Sequence, residues 1–351
     1  MRHGRPALSV AHTRCLIVGP SWVGDMIMAQ SLFMALRERN PGLEIDVLAP
    51  AWTAPLLARM PEVHAALDLP IGHGELDLKA RRRIARELRA HHYAQAIVLP
   101  NSLKSALIPW FARIPRRTGF RGEQRYGLLN DLRRLDKARL PRTVQRFVAL
   151  AMPKNHLPAL EDCPRPQLRT DPQAGRVARA RLGLEDPRPA LGLCPGAEFG
   201  PAKRWPSAHY AAVARYYRSR GWQIWVFGSQ NDFEVAEAVC RDAGPDCTNL
   251  AGRTTLGEAI DLMAQTAAVV SNDSGLMHVA AALDRPLVAV YGSSDPGFTP
   301  PLSPTARIER LGLACSPCFQ RECPLKHLDC LHGLHPDRIV RALDSLLDAT
   351  A

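Results

Sequence analysis

Among the 351 residues of this chain, the stretch Ala267–Val279, reading Ala-Ala-Val-Val-Ser-Asn-Asp-Ser-Gly-Leu-Met-His-Val, restricts the fold most. The run around Val269-Val270 has no polar alternation, which predicts a strand buried on both faces. It breaks at Ser271–Gly275, and helix-spaced apolar residues follow at Leu276, Val279, Ala280 and Leu283. A second buried run, Pro286–Tyr291, comes directly after. A strand–turn–helix–strand unit of this kind belongs in a parallel sheet. Its turn lies at the carboxyl end of a strand, where open α/β sheets bind ligands. The helix that follows offers unpaired N–H groups and a positive dipole end to an anion. Ser274 and Gly275 suit a diphosphate, Gly by letting the backbone approach and Ser by adding a donor. A plain capped helix uses the same residues, and this segment alone leaves both readings open.

The same alternation runs through the rest of the chain. Arg14–Gly19 reads as a buried strand, Pro20–Asp25 as a turn and Met26–Arg39 as a helix. Strands near Ile45–Leu48 and Ala96–Leu99 alternate with helices near Thr53–Met60, Asp77–His91 and Leu103–Ala112. Residues 152–187 are rich in Pro, Arg and Asp; the early part reads as a linker, and Asp171-Pro172 as a helix start running to about Leu184. A second set follows: the strand Pro189–Cys194, a helix near Ser207–Arg220, the strand Gln223–Phe227, a helix after Asn231 and another near Leu256–Gln265. Length also favours two cores over one. The expected fold class is α/β, two Rossmann-like domains facing each other across a cleft. The expected boundaries are 1–165 and 166–335, with a closing helix in 336–351. Glycines only at 19 and 24 and no acid in the ribose position argue against a dinucleotide fingerprint, and no P-loop is present.

Residues Met1 to Thr13 are polar and no apolar core follows them, so no secretory signal is expected. No apolar run approaches the ~20 residues that span a bilayer. A cytoplasmic protein with nine reduced cysteines is the expectation. The net charge of +11 is uneven: residues 79–146 hold 18 Lys and Arg against 4 acids, leaving the remainder slightly acidic. Such a block faces nucleic acid, an anionic membrane or an anionic substrate, or is simply solvated. Nucleic acid is disfavoured, since no interleaved aromatic platform or known binding motif accompanies the charge.

Three turns after buried strands of the second half emerge on one sheet edge: Pro195–Trp205, Gly228–Asp232 and Ser271–Gly275. They gather Gly196, Lys203, Ser229, Asp273, Ser274 and Gly275, a set able to hold a nucleotide diphosphate through backbone N–H groups and one lysine. Asp25 sits where a βα turn meets its helix. It caps that helix, or it acts as a general base. Cys315, Cys318, Cys323 and Cys330 fall within 16 residues, with His327, His332 and His335 nearby. They form a structural Zn²⁺ site or remain free thiols.

Several blocks carry a resemblance. Gly19-Pro-Ser-Trp-Val-Gly-Asp25, Leu99-Pro-Asn-Ser-Leu-Lys-Ser-Ala-Leu107, Arg117-Thr-Gly-Phe-Arg-Gly122 and Arg125-Tyr-Gly-Leu-Leu-Asn-Asp131 lie in the first half. Cys194-Pro-Gly-Ala-Glu-Phe-Gly-Pro-Ala-Lys-Arg-Trp-Pro206 and Ser271-Asn-Asp-Ser-Gly-Leu-Met-His-Val-Ala-Ala281 lie in the second. In order and over most of the chain they resemble the lipopolysaccharide heptosyltransferases of glycosyltransferase family 9, with the Pro195–Trp205 block similar to the type II branch. The resemblance implies a GT-B fold, an ADP-L-glycero-D-manno-heptose donor and inversion at the anomeric carbon. It implies transfer to the first heptose of the inner core on Kdo₂–lipid A, at the cytoplasmic surface of the inner membrane, where the enzyme would be peripheral. A type I or III enzyme would use the same donor on another acceptor. Asp25 would be the base and Lys203 would bind the diphosphate and stabilise the leaving ADP. Gly196, Glu198, Ser229, Asp273, Ser274, Gly275 and His278 would complete the donor site. Asn101, Lys104, Arg121 and Arg125 would face the acceptor, whose carboxylates and phosphates match the basic segment. The resemblance implies no cofactor for catalysis.

Overall fold

Apolar runs without alternation become the interior strands of two all-parallel sheets. The computed structural model describes residues 13–72 and 74–349. The polar stretch 1–12, expected to carry no secretory signal, lies outside them. The first sheet comprises β1 (Arg14–Val18), β2 (Glu44–Ala49), β3 (Val63–Asp68), β4 (Gln95–Val98), β5 (Arg116–Phe120) and β6 (Asp131–Arg133), ordered β3-β2-β1-β4-β5-β6. The second comprises β7 (Ala190–Cys194), β8 (Gln223–Val226), β9 (Cys247–Asn249), β10 (Ala268–Asn272), β11 (Leu287–Val290) and β12 (Ala306–Glu309), ordered β12-β11-β10-β7-β8-β9. Counted from its own first strand, each sheet runs 3-2-1-4-5-6, the doubly wound order whose switch point separates strands 1 and 4. Those points fall between β1 and β4, and between β7 and β10.

The chain divides into two compact units. One holds residues up to Pro20, Ser31–Leu140 and Gln145–Pro164; the other holds Ser21–Gln30, Pro141–Val144 and the chain from Arg165 onward. The first turns of the helix Val23–Arg39 thus group with the second sheet, although they follow β1 in sequence.

Each unit has its own core. In the first, Leu16, Leu48, Ile84, Leu88, Ala96 and Ile108 cluster. In the second, Trp205, Tyr210 and Tyr217 pack with Leu191, Val226 and Val270. The closing helix Pro336–Asp348 joins this second core through Ile339 and Leu343. Asp344 there accepts hydrogen bonds from the Tyr216 and Tyr217 hydroxyls, both at 2.7 Å. Local signals set the helix bounds. Asp171 accepts from the Gln173 and Ala174 N–H groups, Pro172 opens the helix Pro172–Leu182, and left-handed Gly183 (φ 70°) closes it. Two expected helices are shorter than predicted. Thr53–Met60 yields only Ala54–Leu57, and Leu103–Ala112 begins with a 3₁₀ turn before Leu107–Phe111. No helix among the described residues is long and apolar enough to cross a membrane.

Candidate active site

The loops after β7 and β10, on either side of the second switch point, carry the charged centre. Asp273 directly follows β10, and Lys203 ends the 3₁₀ turn Pro201–Lys203 in the loop after β7. Lys203 Nζ donates to Asp273 Oδ2 at 2.6 Å, with side chains 18% and 5% exposed. Lys203 also lies 5.0 Å from the centre of the Phe199 ring, and Arg321 lies 5.5 Å from it. Gly200 (φ 153°) makes this seat possible, since a Cβ there would stand 2.5 Å from the Arg321 carbonyl oxygen.

Asn272, to which the sequence reading assigned no role, ties the two loops together. Its Nδ2 donates to the Pro195 carbonyl at 2.6 Å, and its Oδ1 accepts from the Trp205 N–H at 3.0 Å. The Tyr210 hydroxyl lies 3.0 Å from the same oxygen. A lone Asn in a polar turn gives no sequence signal for this; full burial of its amide does.

The helix Gly275–Ala282 starts beside Asp273. Its N-cap, Ser274, makes no side-chain capping bond, and the hydroxyl instead lies 3.3 Å from Ser271 Oγ. The first N–H groups of this helix therefore have no side-chain cap. A Cβ on Gly275 would stand 2.8 Å from Val23 Cβ, and one on Gly24 would stand 2.7 Å from His278 Cδ2. Two helix starts, at Val23 and at Gly275, thus abut through glycines, and this contact positions Asp25.

Asp25 lies in the first turn of the helix Val23–Arg39, and among the described residues no hydrogen bond holds its carboxylate. Burial raises its pKa to about 6, with Lys203 pulling it down and Asp273 pushing it up. Asp25, Lys203 and Asp273 therefore share one electrostatic neighbourhood. His278 is buried, and burial lowers its pKa to about 4, which keeps the imidazole neutral at pH 7. It packs against Gly24, and Asp273 and Lys203 both act on it electrostatically.

The remaining expected donor residues divide. Gly196 lies against Asp232, whose Cγ would be 2.3 Å from a Cβ at 196. Ser229 donates through its N–H and hydroxyl to Asp232 Oδ2, at 3.0 and 2.8 Å. Asp232, another residue without an assigned role, thus organises the turn after β8, and its Oδ1 has no hydrogen-bond partner. Glu198 is exposed.

In the first unit, the expected acceptor residues follow β4 and β5. Asn101 and Arg121 are exposed and Lys104 is half-buried. Arg121 lies 5.4 Å from the centre of the exposed Tyr126 ring. Arg125 differs: it is 1% exposed and donates to the carbonyls of Pro100 and Phe120, at 2.6 and 2.5 Å. It also donates to Asn101 Oδ1 at 3.3 Å. Arg125 shapes the loop that presents Asn101 and Lys104. Gly122 is needed at this contact, because a Cβ there would stand 2.1 Å from the Asn101 carbonyl oxygen.

Cys315, Cys318, Cys323 and Cys330 line one small cavity with His327 and Ser293. Among the described residues, no three His, Cys, Asp or Glu side chains are placed to hold a metal ion. Burial raises the Cys330 thiol pKa.

Two doubly wound sheets, with an anion-ready helix start and a lysine at one switch point, define a GT-B-type glycosyltransferase. The family model for glycosyltransferase family 9 (heptosyltransferase) matches residues 81–329, and the chain belongs to that family. Lipopolysaccharide heptosyltransferase 2 of Salmonella typhimurium is 49% identical over 342 residues, covering 95% of this chain and 98% of the relative. Lipooligosaccharide heptosyltransferase 2 of Haemophilus influenzae is 52% identical over 307 residues, covering 84% and 88%. The solved ADP-heptose lps heptosyltransferase II of E. coli superposes with a TM-score of 0.86 at 46% identity, covering 96% of this chain and 99% of that one.

Proposed function

We propose that this enzyme moves L-glycero-D-manno-heptose from ADP-heptose to the first heptose of heptosyl-Kdo₂–lipid A, with inversion at the anomeric carbon. The unbonded Asp25 carboxylate, held beside the Lys203–Asp273 pair, carries the mechanistic reading. Asp25 takes the proton from the acceptor hydroxyl as that oxygen attacks the anomeric carbon. The bond from this carbon to the diphosphate oxygen breaks, and ADP departs with the electron pair. Lys203 and the uncapped N–H groups at Gly275 meet the charge that develops on the diphosphate. Asp273 orients the lysine. Positive charge for the leaving group thus comes from the chain, and the reading assigns no metal to catalysis. Asn101, Lys104 and Arg121 receive the anionic acceptor, and the enzyme works peripherally at the cytoplasmic face of the inner membrane. Identity of 49% and 52%, over 95% and 84% of this chain, to relatives named heptosyltransferase 2 supports the type II acceptor over those of types I and III.

The test offers ADP-heptose with defined truncated cores and identifies the linkage formed. Transfer to heptosyl-Kdo₂–lipid A, and not to Kdo₂–lipid A lacking heptose, is the expected result. Transfer only to the latter overturns the acceptor assignment, and no transfer to either overturns the donor reading.

A further inference from the structure

The helix Leu78–Arg89 has two faces. Arg81, Ile84, Ala85 and Leu88 are buried. Lys79, Arg82, Arg83, Arg86 and Arg89 are exposed, with Glu87 the only acid in the helix. Among the described residues none of these five exposed cations forms an ion pair with a carboxylate. A solvated arginine surface usually carries charges of both signs in comparable number; this one sets five exposed cations against the single exposed acid Glu87. Arg82 lies 5.0 Å from the centre of the Phe111 ring, and Arg89 donates to the Phe111 carbonyl at 2.7 Å. Both contacts are to Phe111, whose ring lies 5.0 Å from that of its chain neighbour Trp110, 44% exposed on the same short helix. An exposed Trp among unpaired cations fits the boundary between anionic headgroups and acyl chains, where an indole ring settles and each nearby Lys or Arg strengthens binding. The helix that carries this face also packs on the acceptor loop through its other side, where the buried Arg81 donates to the Lys104 carbonyl at 3.1 Å.

We infer that the exposed face of Leu78–Arg89, together with Trp110, is the surface that docks the enzyme onto an anionic lipid bilayer. An acceptor anchored in that bilayer would then present its sugars next to Lys104. This inference deepens the membrane part of the proposed function, but its deciding readout is vesicle binding and not sugar transfer, so either can fail alone.

The full-length protein is sedimented with vesicles of phosphatidylcholine alone and with vesicles containing phosphatidylglycerol. Wild type should partition onto the anionic vesicles and much less onto the neutral ones. Neutralising three cations in R82Q/R83Q/R86Q should weaken that partition by roughly 100-fold, with an unchanged thermal midpoint. Trp110→Ala should weaken it while leaving the preference for anionic lipid. Heptose transfer to a water-soluble, delipidated acceptor should be unchanged in both variants. Equal binding of the triple variant and wild type to anionic vesicles overturns the inference. So does stronger retention of wild type by duplex DNA than by anionic vesicles at the same salt concentration.

Discussion

Asp25 carries the sharpest residue-level consequence. Its carboxylate titrates near pH 6 because burial disfavours the charged form, so base catalysis requires pH above that value. The rate should fall with an acidic limb centred at about 6, and the limb should disappear from the residual activity of Asp25→Asn. That variant should lose roughly 10²–10⁴ in kcat; retention of more than a tenth of the rate would remove Asp25 as the base. Stability should move the other way. Between the ordinary carboxylate pKa of about 4 and the folded value of about 6, the native state holds a proton that the unfolded chain has released. Asp25 therefore lowers stability progressively as pH rises through that window. Asn, which carries no charge, should raise the thermal midpoint at pH 7.5, by at most roughly 3 kcal/mol of stability. Lys203→Ala should weaken ADP binding about 10-fold or more, and unchanged affinity by calorimetry would refute its assignment. At this scale the sequence is only partly legible. Residue type flagged Arg125 for an anionic acceptor; the residue is 1% exposed, and its terminal nitrogens donate to the Pro100 and Phe120 carbonyls while its Nε has no partner. Asn272 showed no signal, because its role arises from burial between loops distant in sequence; Asp232 was legible as the end of a local Ser229-x-x-Asp232 capping pattern and was passed over.

Among the elements, the crossing of two helix starts does the positioning. Gly24 and Gly275 each face a neighbour closer than a Cβ tolerates, respectively His278 and Val23. Gly24→Ala should therefore push the helix Val23–Arg39 away from His278 and move Asp25 with it. The expected loss is 1–3 kcal/mol of stability, at about the level of core overpacking, and at least 10-fold in kcat. Full activity in Gly24→Ala would show that the close contact is not required for catalysis. The elements themselves were unevenly legible, for a physical reason. Interior strands such as β1, β7, β10 and β11 are buried on both faces and read as unbroken apolar runs. The four edge strands β3, β6, β9 and β12 gave no such run and were not anticipated. β3 alternates half-buried with exposed residues, and β6 and β9 have only three residues each. β5 was missed as well, since Arg116-Arg117 opens it with charge.

On the scale of the molecule, one sheet order occurs twice, and the repetition was legible because both halves show the same strand–turn–helix alternation. The grouping of residues into units was less so. Sequence order places Asp25 with β1, while the contacts of Ser21–Gln30 place it with the second sheet. That grouping predicts how nucleotide binding spreads. If ADP is held by the loops after β7 and β10, its stabilisation should reach every segment packed with them, at roughly 2.7 kcal/mol when ADP stands at 100 times Kd. Hydrogen exchange should therefore slow at residues 196–205 and 271–279, and also at 23–30, which lies some 170 residues earlier in the chain than the lysine. Loops 100–105 and 120–126 belong to the other unit and should exchange as before. Protection at 196–205 without protection at 23–30 would mean that Asp25 does not move as one body with the donor loops. The catalytic carboxylate would then have to be brought to the nucleotide by a later step, such as acceptor binding, and the acidic limb of kcat would no longer report the Asp25 environment described above.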